Sequence, residues 1–166
     1  MFLNHREGFL PGEQNISLRG LVSLCYGYGL QTTLLHIAKA YTGILNDGIE
    51  ADLKIIPSDS NETSRRILKK ETTNKIKNIL IQTVNNGTGK LARVEGGVVG
   101  GKTGTSLISE EKGYDEDSIN ALFVGFIEKN SYRYLLAIMV QEPKNDVSGG
   151  SDVAAPIFSN VFKSIF

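Results

Sequence analysis

Two strongly apolar runs lie close together in the last third of the sequence, and they constrain the fold more than any other feature. Residues 119–128 (INALFVGFIE) and 132–142 (YRYLLAIMVQE) are rich in β-branched and aromatic side chains, and a short polar connector separates them. Such runs form strands, and a connector of this length joins antiparallel neighbours. Residues 98–106, with valines and glycines, predict a third strand. We therefore expect a three-stranded antiparallel meander.

Helices are predicted on either side of this meander. After it, apolar side chains recur at helical spacing from Asp152 to Ile165, and Pro156 falls in the first turn, where proline is tolerated. Before it, the same spacing occurs from Thr33 to Asn46 and from Lys70 to Asn85, whereas Met1 to Ser23 is rich in turn residues. The predicted fold class is therefore α/β of the α+β type, with the C-terminal helix packed on the meander.

Composition excludes several classes of protein. Eighteen Lys and Arg residues balance eighteen Asp and Glu residues among 166, which argues against a nucleic-acid groove or a basic membrane patch. One cysteine and two histidines cannot form a disulfide framework or a zinc site, so we expect no metal or cofactor. We expect Cys25 to be a small buried side chain and His36 to be partly packed. No apolar run approaches the ~20 residues of a membrane span. We expect any export signal or anchor to lie outside this sequence.

The glycine-rich segment at residues 94–106, VEGGVVGGKTGTS, matches two motifs at once. Gly96 to Thr103 fits G-x-x-x-x-G-K-[ST], the phosphate-binding loop of nucleotide hydrolases. Lys102-Thr103-Gly104 fits the K-T-G element of β-lactamases and penicillin-binding proteins. A phosphate loop requires a strand before it and a long helix that starts at the lysine. The sequence after Thr103 favours strands, so nucleotide binding is the weaker alternative.

The K-T-G interpretation requires these residue types on an edge strand beside a cleft. A lysine ammonium supplies positive potential next to a substrate carboxylate and an attacked carbonyl, and a threonine hydroxyl can donate a hydrogen bond to that carboxylate. A glycine lets a ligand backbone lie against the strand, because no Cβ intervenes.

Six sequence landmarks occur in the order found in class B penicillin-binding proteins. They are Gly27-Tyr28-Gly29, Gly87-Thr88-Gly89, Lys102-Thr103-Gly104-Thr105, Phe123-Val124-Gly125-Phe126, the strand from Leu135 to Pro143, and Gly149-Gly150 with Ala154-Ala155-Pro156. On these landmarks, the sequence resembles the C-terminal half of the transpeptidase domain over nearly its whole length. We therefore expect residues 1–166 to be the C-terminal part of one transpeptidase domain. Helices and loops should dominate residues 1–90, and residues 91–166 should hold the KTGT strand, two further strands and the terminal helix.

The resemblance implies a D,D-transpeptidase that cross-links peptidoglycan stem peptides through an acyl-serine and that β-lactams also acylate. It implies no cofactor, and it places the parent protein on the outer face of the bacterial cytoplasmic membrane. On the matching positions, Lys102 would hold positive charge over the site, and Thr103 would bind the substrate carboxylate. Gly104 would admit the ligand alongside the strand, and the amide of Thr105 would be one donor of the oxyanion hole.

The nucleophile is missing from the expected place. In the family, S-x-x-K and S-x-N precede KTGT, whereas the matching strings here, Ser109 to Lys112 and Ser118 to Asn120, both follow it. We therefore expect one wall of an active site, no activity of this chain alone, and dependence on the rest of the domain. In the family, two further strands pair beside the last meander strand. Without them, Tyr132–Glu142 should be a bare apolar edge. The alternative is a catalytically inactive remnant that only binds partners or cell-wall peptide.

Overall fold

Three long strands form the centre of the fold. The computed structural model describes residues 8–12, 16–51, 64–110, 113–144 and 149–166. Strands β3 (Val98–Glu110), β4 (Gly113–Lys129) and β5 (Tyr132–Gln141) form an antiparallel sheet in the order β3-β4-β5. The predicted meander is confirmed. Residues 107–110 and 113–118, between the first two predicted strands, instead continue both strands, with a shift in pairing register between Leu107 and Ile108.

The C-terminal helix α4 (Ala154–Ile165) covers one face of this sheet, as predicted. Phe158 is fully buried and makes an edge-to-face contact with Phe123 of β4, at 5.1 Å between ring centroids. Phe162 packs against Phe158 at 4.7 Å. The buried cluster consists of Val84, Ala92, Val94, Val99, Phe123, Ile127, Ala154, Ala155, Phe158 and Phe162. This cluster is the main hydrophobic core of the described residues.

Helix α3 (Lys70–Asn86) packs against β3, and its bounds agree with the prediction to within one residue. Side chains alternate between the two faces of a strand, so Phe126 points away from the face of Phe123. The ammonium of Lys77 on α3 lies over the Phe126 ring and pairs with Glu128 of β4 at 2.7 Å. The helical spacing of apolar residues predicts Ile79 and Leu80 on the buried face of this helix; Leu80 is buried, but Ile79 is 65% exposed.

Helix α2 (Leu34–Leu45) begins where the sequence indicates. The hydroxyl of Thr33 accepts a hydrogen bond from the amide of His36 at 3.2 Å, which caps the first turn. The chain then leaves the helix through Asp47 and Gly48, both with positive φ. It continues into β1 (Ile49–Glu50), which pairs with β2 (Arg65–Arg66). The sequence of residues 50–65 predicts a loop, but its two ends form this short strand pair. Residues 52–63 lie outside the described residues.

A helix that the sequence did not indicate, α1 (Leu18–Cys25), lies within and after the segment expected to consist of turns. The Ser17 hydroxyl caps it by accepting a hydrogen bond from the amide of Gly20 at 3.1 Å. None of its residues is buried, and Cys25 is exposed, so the expectation of a buried cysteine is wrong. In the described ranges, no helix is both long and apolar enough to cross a membrane.

Candidate functional site

The segment from Lys102 to Thr105 lies within β3, at the edge of the sheet. Lys102 pairs with Val124 and Thr105 with Ala121, both on β4. Of the described strands, only β4 pairs with β3, so no described strand covers the other side of this segment. A phosphate-binding loop would place Lys102 at the start of a helix, and the structure places it in the middle of a strand. The geometry that nucleotide binding requires is therefore absent here.

The Lys102 side chain is exposed and folds back along its own strand. Its ammonium donates a hydrogen bond to the carbonyl oxygen of Thr103 at 2.8 Å and lies 3.4 Å from the Thr103 hydroxyl. Among the described residues, no carboxylate forms an ion pair with Lys102. An ammonium without a paired carboxylate gives this strand edge a positive potential that suits an anionic ligand.

The Thr103 hydroxyl lies 2.8 Å from the hydroxyl of Thr88, in the turn that follows α3. Glycines on both sides fix this turn, because the amides of Gly87 and Gly89 both donate to the carbonyl oxygen of Thr83, at 3.0 and 3.1 Å. A Cβ on Gly87 would lie 2.9 Å from that oxygen, closer than real Cβ contacts. The sequence marked Gly87-Thr88-Gly89 as the end of a helix but gave no sign that Thr88 reaches β3.

The turn before α4 packs directly against Gly104 and Thr105. The amide of Gly150 donates a hydrogen bond to the Thr105 hydroxyl at 3.2 Å. A Cβ on Gly150 would overlap the carbonyl oxygens of Gly104 and Leu122, and one on Gly149 would overlap the Thr105 side chain. The hydroxyl of Thr105 is thus engaged within the protein. The sequence assigns the oxyanion role to its backbone amide, and that role stays a prediction.

An apolar cleft of about 210 Å³ adjoins this strand. Its lining combines Lys102, Thr103 and Gly104 with Leu34, Ile37 and Tyr41 of α2 and with Leu122, Phe123, Val124 and Ile138 of the sheet. Burial raises the pKa of Tyr41 to about 12, so its phenol stays protonated at neutral pH and does not act as a base. A larger concavity, about 360 Å³, surrounds the β4–β5 turn at residues 128–133 and contains none of the KTGT residues.

The two serine strings that resemble nucleophile motifs lie on strands. Ser109 is near the end of β3 and Ser118 is in β4, whereas the string S-x-x-K requires the start of a buried helix. The lysine of the first string, Lys112, lies outside the described residues. No group of three or more His, Cys, Asp or Glu side chains suited to a metal ion occurs in the described ranges. The described site therefore offers a cation, hydroxyls and a strand edge.

Comparisons with known proteins agree with this geometry. Residues 6–163 match the family model described as the penicillin binding protein transpeptidase domain. The chain is 32% identical over 140 residues to the probable peptidoglycan D,D-transpeptidase PenA of Neisseria gonorrhoeae, covering 84% of this chain and 24% of that protein. It is also 32% identical over 153 residues to the peptidoglycan D,D-transpeptidase FtsI of a Buchnera aphidicola subspecies, covering 87% and 26%.

Solved structures show the same relationship. The transpeptidase domain of penicillin-binding protein 3 from Burkholderia pseudomallei superposes with a TM-score of 0.84 at 32% identity, covering 95% of this chain and 49% of that one. Penicillin-binding protein 3 of Mycobacterium tuberculosis, solved with aztreonam, gives 0.79 at 27% identity, covering 95% and 40%. The chain thus spans about a quarter of the curated relatives and half or less of these solved chains. It belongs to the penicillin-binding protein transpeptidase family.

Proposed function

We propose that this chain supplies the KTGT wall of a D,D-transpeptidase active site that cross-links peptidoglycan stem peptides and that β-lactams acylate. The observation that carries the proposal is the position of Lys102 to Thr105 on an edge of the sheet that no described strand covers, beside an apolar cleft. An acyl-peptide can lie along such an edge as an added strand. The ammonium of Lys102, which no carboxylate of the described residues pairs with, and the hydroxyl of Thr103 give that edge the charge and the donor that a terminal carboxylate needs.

Each residue has a separate role in the proposed reaction. A serine outside this chain attacks the carbonyl of the D-alanyl–D-alanine bond, D-alanine leaves, and the amine of a second stem peptide then takes the acyl group. Lys102 and Thr103 hold the terminal carboxylate, and Gly104 gives the peptide room to approach. The amide of Thr105 donates to the oxyanion, and removal of one such donor typically costs about 3 kcal/mol of transition-state stabilisation.

The nucleophile would come from the remainder of the transpeptidase domain. The exposed apolar surfaces of this chain suit an interface with that remainder. Helix α1 has no buried residue, and Leu18 and Leu21 project from it exposed. Strand β5 pairs only with β4 among the described strands, and its apolar edge is a site for a further strand. We propose that the rest of the domain covers these surfaces, and that a membrane anchor on it holds the site outside the cytoplasmic membrane.

Labelling with a fluorescent penicillin tests this proposal. We expect no covalent label on this chain alone. When this chain is expressed together with the N-terminal part of the gonococcal PenA transpeptidase domain, we expect that N-terminal part to be labelled. Lys102→Ala should slow that labelling by on the order of a hundred-fold, whereas Lys75→Ala, on the exposed face of α3, should leave it unchanged.

Three other results would contradict parts of the proposal. Covalent label on this chain alone would show that it contains a nucleophile. Failure of the paired polypeptides to be labelled would overturn the transpeptidase assignment. If such a pair bound a stem peptide without any acylation, the chain would be the catalytically inactive binding remnant. The position of both serine strings after KTGT is consistent with that alternative.

A further inference from the structure

A second cavity, of about 360 Å³, lies at the turn between β4 and β5, and the proposed mechanism does not use it. Residues 128–133 line it, and we call it the turn cavity. Its volume falls within the range of small-molecule sites, roughly 300–1,000 Å³. None of the KTGT residues lines it, so a ligand bound there would lie apart from the reacting carbonyl.

The ring of Tyr132 forms a flat apolar wall of the turn cavity. Tyr132 is 59% exposed, and its ring stacks on that of Tyr134, with 6.1 Å between the centroids and 16° between the planes. Tyr134 in turn contacts the rings of Phe162 and Phe166, at 5.9 and 6.0 Å. Because packed rings support Tyr132 from behind, its ring offers a ligand an open face that is already in position.

The charged side chains of the turn cavity already have partners within the protein. The ammonium of Lys129 donates a hydrogen bond to the carbonyl oxygen of Glu95 at 2.9 Å. The guanidinium of Arg133 donates to the carbonyl oxygen of Leu45, also at 2.9 Å. The carboxylate of Glu128 pairs with a lysine of α3 at 2.7 Å. A carboxylate and two cations that are engaged in this way favour an uncharged ligand over an ion.

The turn itself adds uncharged polar groups to the cavity. Asn130 and Ser131 have φ of 51° and 68°, as a two-residue hairpin turn of type I′ requires. Ser131 occupies a position where glycine is favoured, and backbone strain of this kind occurs most often at functional sites. The amide of Asn130 and the hydroxyl of Ser131 can each donate and accept hydrogen bonds.

An apolar ring face beside an amide and a hydroxyl matches the chemistry of a sugar. A pyranose ring presents C–H groups on one face and hydroxyl groups around its edge. It can therefore stack on an aromatic ring and form hydrogen bonds at the same time. An N-acetyl group on the sugar adds an amide with the same donor and acceptor pattern. The turn cavity thus suits an uncharged saccharide.

The position of the turn cavity relates it to the acceptor strand of peptidoglycan. In the proposed reaction the acceptor amine enters where D-alanine leaves, and the carboxylate of that D-alanine lies at Lys102 and Thr103. The acceptor therefore extends from the site on the Lys102 side, along β3 toward Val98, which pairs with Glu128 of the turn cavity. The strand from Thr103 to Val98 extends ~17 Å, about the reach of an extended pentapeptide.

We propose that the turn cavity binds the glycan of the acceptor peptidoglycan strand. A sugar ring stacks on Tyr132, and Asn130 and Ser131 supply hydrogen bonds to its hydroxyl and N-acetyl groups. This inference rests on the proposed function, because that function supplies the acceptor strand. It gives the Val98 end of the sheet a saccharide site in addition to the peptide site at KTGT.

The first measurement is the binding of an uncharged probe, the N-acetylglucosamine tetramer, to the paired polypeptides described above. In an NMR titration we expect the largest shifts at residues 128–133. Tyr132→Ala should raise the dissociation constant about ten-fold, the effect of losing one stacked ring, whereas Tyr132→Phe should leave it unchanged. Tyr26→Ala, at a similarly exposed tyrosine that also contacts a second ring, is the matched control and should have no effect.

The second measurement tests whether the turn cavity serves the acceptor. The acyl group is transferred by the paired polypeptides either to a disaccharide-peptide or to the same peptide without sugar. Tyr132→Ala should raise the KM for the disaccharide-peptide about ten-fold more than the KM for the free peptide. An equal rise for both acceptors would overturn the proposed role, since a general distortion of the sheet does not distinguish them.

The outcomes separate this inference from the proposed function. If benzylpenicillin does not acylate the pair but the tetramer shifts residues 128–133, the proposed function and the acceptor role are overturned, whereas the saccharide site is supported. If the pair is acylated and the tetramer shifts none of these residues, only the inference is overturned. Equal weakening by Tyr132→Ala and Tyr26→Ala would also overturn it. The shifts require no substitution, so they test the site even if Tyr132→Ala does not fold.

Discussion

The two ends of this chain differ in how far they bury their apolar side chains. In the C-terminal region, residues 98–166, the sheet and α4 bury a continuous cluster in which Phe123, Phe158 and Phe162 are at most 2% exposed. In the N-terminal region, residues 8–51, α1 buries nothing and Gly43 is the one buried residue of α2. Leu18, on α1, is 79% exposed. The C-terminal region has the core of a domain, whereas the described N-terminal region exposes apolar side chains, as our proposal of an interface with the rest of the domain requires.

Glycines around the KTGT strand differ from the two glycines that follow α1. Gly100, Gly101, Gly149 and Gly150 lie where a Cβ would overlap a neighbouring strand, ring or side chain. Gly27 and Gly29 have positive φ, but nothing lies within 4 Å of where their Cβ atoms would be. Close packing thus dictates glycine around the KTGT strand, and backbone conformation alone dictates it at Gly27 and Gly29.

The largest predicted effect comes from Phe158→Ala. Removal of a fully buried ring that contacts Phe123 and Phe162 should lower the free energy of unfolding by about 3–5 kcal/mol. Leu21→Ala, at a residue that is 53% exposed, should cost under about 0.5 kcal/mol in the chain alone. Urea denaturation, followed by circular dichroism, measures both. The measurement is then repeated with the N-terminal part of the PenA transpeptidase domain present. There, Leu21→Ala should lower the free energy of unfolding by more, and an unchanged value would show that α1 is not part of an interface.

A smaller effect is expected from Gly150→Ala. The added Cβ would overlap the carbonyl oxygens of Gly104 and Leu122, and backbone atoms in a sheet cannot move aside easily, so we expect a loss of about 2 kcal/mol. Gly29→Ala adds the same methyl group in open space and should cost about 1 kcal/mol, from its positive φ alone. The same denaturation experiment distinguishes them. Equal losses would show that the turn before α4 is not packed tightly against β3.

The sequence predicted the C-terminal region well because its signals are local and dense. Valines, isoleucines and aromatic residues mark β4 and β5, a short connector joins them, and the phenylalanine spacing marks α4. Valines and glycines at residues 98–106 predicted the strand that holds KTGT, and the K-T-G interpretation placed that strand at an edge. The polar ends of β3 and β4 were missed because cross-strand pairing, not apolar alternation, continues the hairpin there.

Features that depend on contacts distant in the sequence could not be predicted. Thr88 lies 15 residues before Thr103, and no local pattern indicates that their hydroxyls meet. Helix α1 was missed because it is short, contains Gly20 and buries no residue, so turn residues dominate its surroundings. The exposure of Cys25 has the same origin, since its burial was inferred from residue type alone.

The smallest predicted effect concerns the contact between the N-terminal region and α3, where Asp47, after α2, meets Lys70, the first residue of α3. The two side chains lie 2.8 Å apart, and the hydrogen bond from Lys70 holds the pKa of Asp47 below its ordinary value. Since the folded state favours the ionised carboxylate, this pair should stabilise the chain fully above about pH 4 and progressively less as the pH falls through the folded-state pKa. Lys70→Met should return the pKa of Asp47 toward its ordinary value in a carboxyl NMR titration, and Lys75→Met should not. Because both side chains are exposed, 1 M salt should also weaken the shift. A pKa that Lys70→Met leaves unmoved would show that Lys70 does not stabilise the Asp47 carboxylate and that this pair does not link the N-terminal region to α3.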